Sequence, residues 1–310
     1  MQRIQYHSYG GPEVMRLETY TPPAPRRGEV RIRVKAASIN PLDWQLRQGF
    51  MKLIMGKRFP RGMGMDLAGV IESVGPGVDG VAIGDEILGQ TPMTNQNAFS
   101  ELAITRPDLI VPKPAQLTFA AAAALPTVGS TAWRALVVVA KLKGGQSVLI
   151  NGAAGGVGQA AVAIAQTMGA VVSVRVGPSS IAEMAKREFA SVVDYSQPIP
   201  ARLHHSFDVV LDCHGGLTAR EERSLIKSGG VAVDIVPTLS NMRRAIFSSR
   251  HRLVRAAPSQ DILRKVTDLA SSGKLLIPVN RTSSLSEAIS LIKDLETGKR
   301  GPGKAVIVLD

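Results

Sequence analysis

Between the apolar run Val148-Leu149-Ile150 and a long helix-favouring stretch lies the segment Gly152-Ala153-Ala154-Gly155-Gly156-Val157-Gly158. No other feature of the chain constrains its fold as much. A buried strand, a glycine-rich turn and a helix make the first half of a βαβ unit, the context that a dinucleotide fingerprint requires. Glycines lack Cβ, so the backbone turns tightly and approaches a pyrophosphate closely. The helix N-terminus then offers unpaired N–H groups and a positive dipole end to the anion. Gly158 lets the helix pack close against the strand. Against the Gly-x-Gly-x-x-Gly pattern counted back from Gly158, Ala153 holds the first glycine position, which is a variant. An ordinary glycine-rich βα turn is the alternative reading, and the strand-before, helix-after context favours the dinucleotide site.

The alternation continues on both sides of this turn. Strands are expected at Ser147–Asn151, Val171–Val176, Phe207–Cys213 and Gly230–Val236, with a last one at Arg252–Ala256. Helices are expected at Phe119–Leu125 (stopped by Pro126), Thr131–Lys141, Gly156–Met168, Ser180–Phe189, Leu217–Ile226 and Gln260–Ser271. Such a pattern argues a parallel sheet with helices on both faces. The first third differs. Glu29–Ala36 alternates apolar with charged residues, and Leu67–Val74 and Gly84–Gly89 are short strands between Gly and Pro turns, as in a compact barrel-like fold. The tail, Leu285–Asp310, reads as a helix, a turn at Gly298–Gly303 and the strand Lys304–Leu309.

The second strand of a dinucleotide fold selects the cofactor. Enzymes that use NAD place Asp or Glu at its end, on the ribose 2′-hydroxyl. Val171–Ser180 contains no acid; it carries Arg175, Ser179 and Ser180. A guanidinium and hydroxyls suit a 2′-phosphate that a carboxylate would repel, so NADPH is expected. The alternative is that Arg175 points into solvent from its strand.

Composition narrows the classes. At 310 residues, 45% of them hydrophobic, the chain exceeds one ordinary domain and fills packed cores. Its apolar runs, such as Ala135–Ala140, are too short to cross a bilayer, and no membrane partner is expected. Met1–Gly10 lacks a basic-then-apolar signal pattern. The single cysteine, Cys213, permits neither an intrachain disulfide nor a cysteine-cluster zinc site, and fits a reducing, cytoplasmic setting. The net charge of +12 is scattered; its densest cluster is Arg243, Arg244, Arg250, Arg252 and Arg255, with no nucleic-acid motif beside it. A solvated basic surface is the preferred reading, and a cofactor-binding protein of low activity recruited to nucleic acid or protein is the alternative.

An ordered set of motifs adds a family. Ala36-Ala37-Ser38-Ile39-Asn40-Pro41-Leu42-Asp43, Gly64-Met65-Asp66-Leu67-Ala68-Gly69-Val70, Val74-Gly75 with Gly84-Asp85, Ala122-Ala123-Ala124-Leu125-Pro126, Thr131-Ala132-Trp133, the glycine turn, Asp208-Val209-Val210-Leu211-Asp212, Gly229-Gly230 and Gly303-Lys304-Ala305-Val306 occur in sequence. Together they resemble the zinc-free medium-chain dehydrogenase/reductases of the quinone oxidoreductase type, over nearly the whole chain. The resemblance implies an α/β fold: a GroES-like β-rich catalytic domain (residues 1–118 and 258–310) and an inserted Rossmann doubly wound parallel sheet (residues 119–257), with the active site in the cleft. It also implies a homodimer formed through the last Rossmann strand.

Zinc-dependent relatives carry Cys at the position of Asn40 and His-Glu at Met65-Asp66, so no metal is expected. Without a strong Lewis acid, hydride transfer from NADPH to a quinone, or to the activated C=C bond of an α,β-unsaturated carbonyl, is the natural chemistry. By resemblance Asn40 lies beside the nicotinamide, where its amide donates to a substrate carbonyl; a turn residue before Pro41 is the equal alternative. Asp43 matches the same motif, but a role holding local backbone or pairing with Arg47 is favoured. Thr127 falls in the nicotinamide-contacting loop, with a helix N-cap as alternative. Tyr195 falls near the adenosine phosphate, with an edge aromatic as alternative. Cys213 and His214 follow the fourth strand at the cofactor edge, where His214 is either a proton donor or, more often, a backbone cap. Two departures stand out. Met51 replaces a Tyr that enoyl-thioester reductases of the superfamily use as proton donor, and Pro237–Arg250 is shorter than usual.

Overall fold

The computed structural model describes residues 1–254, 259–299 and 301–309. The chain divides into two compact units, one of Met1–Thr127, Pro258–Ser271 and Pro278–Asp310, the other of Val128–Ala257 and Ser272–Ile277.

The second unit is built on six parallel strands in the order Ser191–Asp194, Val171–Val176, Ser147–Asn151, Phe207–Asp212, Ile226–Asp234 and His251–Leu253. The first strand in sequence therefore lies inside the sheet, and the order reverses beside it, as in doubly wound sheets. Apolar runs fill the strand interiors because helices cover both faces: Val148, Ile150, Val174 and Leu211 are fully buried. The register carries the polar strand ends into one row. Arg175 lies opposite Asn151, Asn151 opposite Asp212, and Asp212 opposite Asp234. Helix Gly156–Thr167 follows the glycine turn.

In the first unit, Val30–Ser38 pairs with Asp66–Val74, with Leu102–Thr105 and, near its C-terminal end, with the tail strand Lys304–Val308. The sheet extends through Glu86–Gln90 and Ile110–Pro112 on one side and Val279–Ser283 on the other. Val30, Ile32 and Val34 are buried while Arg33 is exposed, the expected one-sided alternation. Alternation ends at Ala36-Ala37-Ser38, all fully buried, because helix Phe119–Ala123 packs Ala122 and Ala123 over Ala36, Ala68 and Val306. That helix, assigned from sequence to the nucleotide-binding domain, thus belongs to the first unit.

Three local expectations are corrected. Pro126 opens a helix, Pro126–Trp133, rather than only closing one; proline is tolerated in a first turn, where its missing N–H has no intrahelical partner to lose. The apolar run after it, Arg134–Val139, is a π-helical turn. The strand expected from Gly230 begins at Ile226. Of the last expected strand, His251–Leu253 is formed, and Arg255 and Ala256 lie outside the described residues. No helix among the described residues is long and apolar enough to cross a membrane.

Candidate functional site

In the second unit the glycine turn joins the C-terminal end of strand Ser147–Asn151 to helix Gly156–Thr167. Gly152 has φ +79°, in the left-handed region that side chains disfavour, and its N–H donates to the Arg175 carbonyl at 2.8 Å. A Cβ on Gly158 would stand 2.2 Å from the Gly152 carbonyl oxygen and 2.6 Å from the Ala153 Cα. The helix therefore touches the turn at a distance only glycine permits. Ala153 is buried beneath it, Ala154, Gly156 and Val157 are half-buried, and Gly155 is exposed. The first N–H groups of a helix have no intrahelical acceptor. The turn's cradle and these donors fit the pyrophosphate of a dinucleotide.

The polar row behind the turn is tightly bonded. Asp212 is 1% exposed; it accepts from Asn151 Nδ2 at 2.8 Å and from the backbone N–H groups of His214, Gly215 and Leu217 at 2.8–2.9 Å. This pins the loop that carries Cys213 and His214. Arg175 is also buried, which corrects the solvent-pointing alternative. Its guanidinium donates to the Tyr195 carbonyl at 2.9 Å and to Asn151 Oδ1 at 3.4 Å, and Nε has no partner. Ser179 is exposed and Ser180 buried at the start of helix Pro178–Met184. Tyr195 and His214 stack face to face, ring centroids 5.5 Å apart and planes 8° from parallel. Tyr195 is 41% exposed, a surface ring rather than a core one. Burial, and then Asp212, push the Cys213 thiol upward, so it stays protonated.

In the first unit the sequence candidates converge on a carboxylate that the sequence reading left without a role. Asp66, fully buried at the start of its strand, accepts from Asn40 Nδ2 at 3.0 Å, Gln90 Nε2 at 2.9 Å, the Thr127 N–H at 3.0 Å and the Thr127 hydroxyl at 2.7 Å. Gln90 Nε2 also reaches Thr127 Oγ1 at 2.8 Å. Lys304, at the start of the tail strand, donates to Asn40 Oδ1 and the Ile39 carbonyl, each at 2.7 Å. Burial lowers the ammonium's pKa, and the charges of Asp66 and Asp43 oppose that shift. The amide of Asn40 is therefore committed: Oδ1 faces Lys304, and Nδ2 faces Asp66 and the Ser38 carbonyl. This corrects the expectation that it donates to a substrate carbonyl.

Asp43 holds backbone: Oδ2 accepts the Asn40 N–H at 2.7 Å. Burial, with the Asp66 charge, pushes its carboxyl up to about 7, against the Asn40 hydrogen bond and Lys304. Its expected partner Arg47 instead pairs with Glu296 at 2.7 Å. Thr127 is not an N-cap: it lies inside helix Pro126–Trp133 with both hydroxyl and N–H on Asp66. Asp66, Gln90 and Lys304 are the site residues missed from sequence. One local signal for Lys304 was present, since a lysine opens the otherwise apolar strand Lys-Ala-Val-Ile-Val.

Residues 26–115 match the alcohol dehydrogenase GroES-like domain and residues 187–307 the zinc-binding dehydrogenase domain. The quinone oxidoreductase of Pseudomonas aeruginosa is 30% identical, over 99% of each chain. The quinone oxidoreductase of Coxiella burnetii superposes with a TM-score of 0.91 at 30% identity, over 100% of this chain and 99% of that one. The chain belongs to the quinone oxidoreductases of the medium-chain dehydrogenase/reductase superfamily. The Escherichia coli quinone oxidoreductase complexed with NADPH also superposes, with a TM-score of 0.85 at 25% identity over the whole of both chains. Family and fold class follow the sequence expectation, and an oxidoreductase using NAD(P)H is the activity of this group.

The zinc in the name of the second domain does not fit this member of the quinone oxidoreductases. A catalytic zinc takes about three N, S or O ligands. At the positions concerned stand an amide already bonded on both atoms and a thioether, Met65, beside a carboxylate that already serves five donor groups and faces a buried ammonium. The one group of three ligand-type side chains among the described residues is elsewhere, at Glu222, Asp234 and His251.

Proposed function

We propose that this member of the quinone oxidoreductases uses NADPH to reduce a quinone, or the activated C=C bond of an α,β-unsaturated carbonyl, without zinc. The observation that carries the reading is the Asn40–Lys304–Asp66 network, whose donor set leaves no place for a Lewis acid. An unactivated alcohol or ketone relies on such an acid, whereas a quinone or enone is electrophilic by itself.

Bound on the turn at Gly152–Gly158, NADPH supplies the hydride. The chain's own residues bind and orient. Thr127 donates its hydroxyl hydrogen bond to Asp66 and accepts one from Gln90 Nε2, which fixes its side chain in the network. Asn40 and Asp43 act by position: Asp43 holds the Asn40 backbone, and Asn40 links Lys304 to Asp66. Tyr195 and His214 offer a stacked, exposed platform for the adenosine half.

The preference for the 2′-phosphate rests on the acid-free segment Val171–Ser180. Exposed Ser179 meets the phosphate, and Arg175 contributes its charge from behind. For Arg175→Met we expect the KM for NADPH to rise about tenfold with that for NADH unchanged. An equal rise for both cofactors assigns Arg175 to holding the strand ends. A homodimer through the edge strand His251–Leu253 and a cytoplasmic setting complete the proposal; sedimentation velocity reads the oligomeric state. The activity itself is tested by NADPH oxidation with a panel of quinones and enones. Turnover with at least one acceptor is expected, and none, despite NADPH binding, would contradict the reading.

A further inference from the structure

The first unit contains a cavity of about 520 Å³, and none of the residues that line it belongs to the Asn40–Lys304–Asp66 network. Four arginines line it, Arg3, Arg26, Arg58 and Arg61, against one acid, Glu29. The fold draws part of this wall together. Strand Arg61–Gly62 pairs with Gln2–Tyr6, Arg61 opposite Tyr6 and Gly62 opposite Gln5. A Cβ on Gly62 would stand 2.5 Å from the Gln96 carbonyl oxygen and 3.2 Å from Arg3 Cδ. A glycine at this position lets Arg3 and Gln96 approach one another.

The guanidinium groups are held, but not by acids. Arg3 Nε donates to the Gln5 amide oxygen at 3.0 Å, and its guanidinium lies 4.5 Å over the Tyr20 ring. Arg61 donates from Nη1 to the Thr94 carbonyl and from Nη2 to the Met55 carbonyl, and its buried Nε has no partner. Glu29 accepts the Arg26 backbone N–H at 2.9 Å, not a guanidinium. Among the described residues none of the four arginines is in an ion pair, whereas Arg31, Arg47 and Arg244 each have a glutamate. Neutral partners thus fix the inner two and leave their charge for an anion, whose oxygens match the planar fork.

Gln96 is an independent sign of a ligand. It lines the cavity, is 3% exposed, and has no partner on Oε1 or on Nε2. Burying an amide with both ends unspent costs free energy, which a group that both donates and accepts recovers. A hydroxyl does both. No aromatic ring lines the cavity among the described residues, so a nucleobase would find no stacking platform. The volume falls within the roughly 300–1,000 Å³ of sites for organic ligands, well above the need of a bare inorganic ion.

We infer that this cavity is a binding site for a small phosphorylated sugar or polyol, with the phosphate among the guanidinium groups and hydroxyls on the Gln96 amide. Four guanidinium groups against one carboxylate favour a phosphate dianion over a single carboxylate. Arg3 and Arg61, half-buried, would hold the phosphate, and the exposed Arg26 and Arg58 would attract it. The inference does not depend on which acceptor receives the hydride.

Isothermal titration of the full chain tests it, with NADP⁺ at saturation to fill the glycine turn. The probes are glucose 6-phosphate, ribose 5-phosphate and glycerol 3-phosphate, with inorganic phosphate and glucose as comparators. We expect at least one ester to bind tenfold or more tighter than inorganic phosphate, with affinity falling as salt rises, and no binding of glucose. Gln96→Met should weaken that ester at least tenfold and leave inorganic phosphate unchanged. Arg26→Glu with Arg58→Glu should weaken both at least tenfold. Arg26 and Arg58 are exposed, so the double variant should keep the wild-type thermal midpoint, which shows that it folds. Failure of all three esters to bind, inorganic phosphate binding as tightly as the esters, or equal ester binding by the double arginine variant would overturn the inference. So would two other outcomes: ester binding that NADP⁺ abolishes, which assigns the phosphate to the glycine turn, or RNA binding that needs Arg26 and Arg58 and not Gln96, which assigns the arginines to a nucleic-acid surface.

Discussion

Gly158 shows how little room the nucleotide turn leaves. A methyl there would meet the Gly152 carbonyl oxygen and the Ala153 Cα, both backbone atoms that cannot swing aside. Gly158→Ala should therefore cost about 1–3 kcal/mol of stability and weaken NAD(P)H binding at least tenfold. Thermal unfolding and a fluorescence titration with the nucleotide measure the two effects. Asp43 makes a prediction with a definite sign. Its folded carboxyl is raised from 3.8 to about 7, so the folded state holds a proton that the unfolded chain releases. Its contribution to stability is full below about pH 4, is lost as pH rises through 7, and is constant above. In Asp43→Asn that dependence should be absent. Denaturant midpoints at intervals from pH 4 to pH 8 should show the gap between variant and wild type changing across this window, and a constant gap would contradict the raised carboxyl.

At the scale of elements, the tail secures the first unit. Strand Lys304–Val308 pairs with Val30–Ser38, and helix Ala288–Glu296 brings Glu296 to Arg47. Arg47 is fully buried. Removing its partner leaves a buried charge unpaired, so Glu296→Ala should cost about 3–5 kcal/mol in a denaturant titration. The elements were legible in sequence where one physical signal dominated. Ser147–Asn151, Val171–Val176 and Gln260–Ser271 have the bounds that their apolar patterns suggest. Pro126 misled because proline both ends a helix and opens one, and only packing decides between these. The roles of Lys304 and Asp66 were illegible for a different reason. Their partners lie far off along the chain: Lys304 Nζ reaches Asn40, 264 residues away, and Asp66 reaches Thr127, 61 residues away. No local pattern encodes such a meeting. Arg175 is visible in sequence as a cation near the end of the second strand, but its burial against Asn151 and the Tyr195 carbonyl follows from the register of neighbouring strands.

At the scale of the whole molecule, two units carry separate tasks. The parallel sheet of the second provides the glycine turn and its row of bonded polar ends, and the β-rich first unit provides the buried network of Asn40, Lys304 and Asp66. On the proposed reading this network replaces the metal. The most direct measurement is the rate of NADPH oxidation by a quinone in protein treated with a strong chelator, with zinc content determined in the same sample. An unchanged rate at negligible zinc is expected, with no gain when zinc is returned. Loss of the rate on chelation and its recovery with zinc would contradict it.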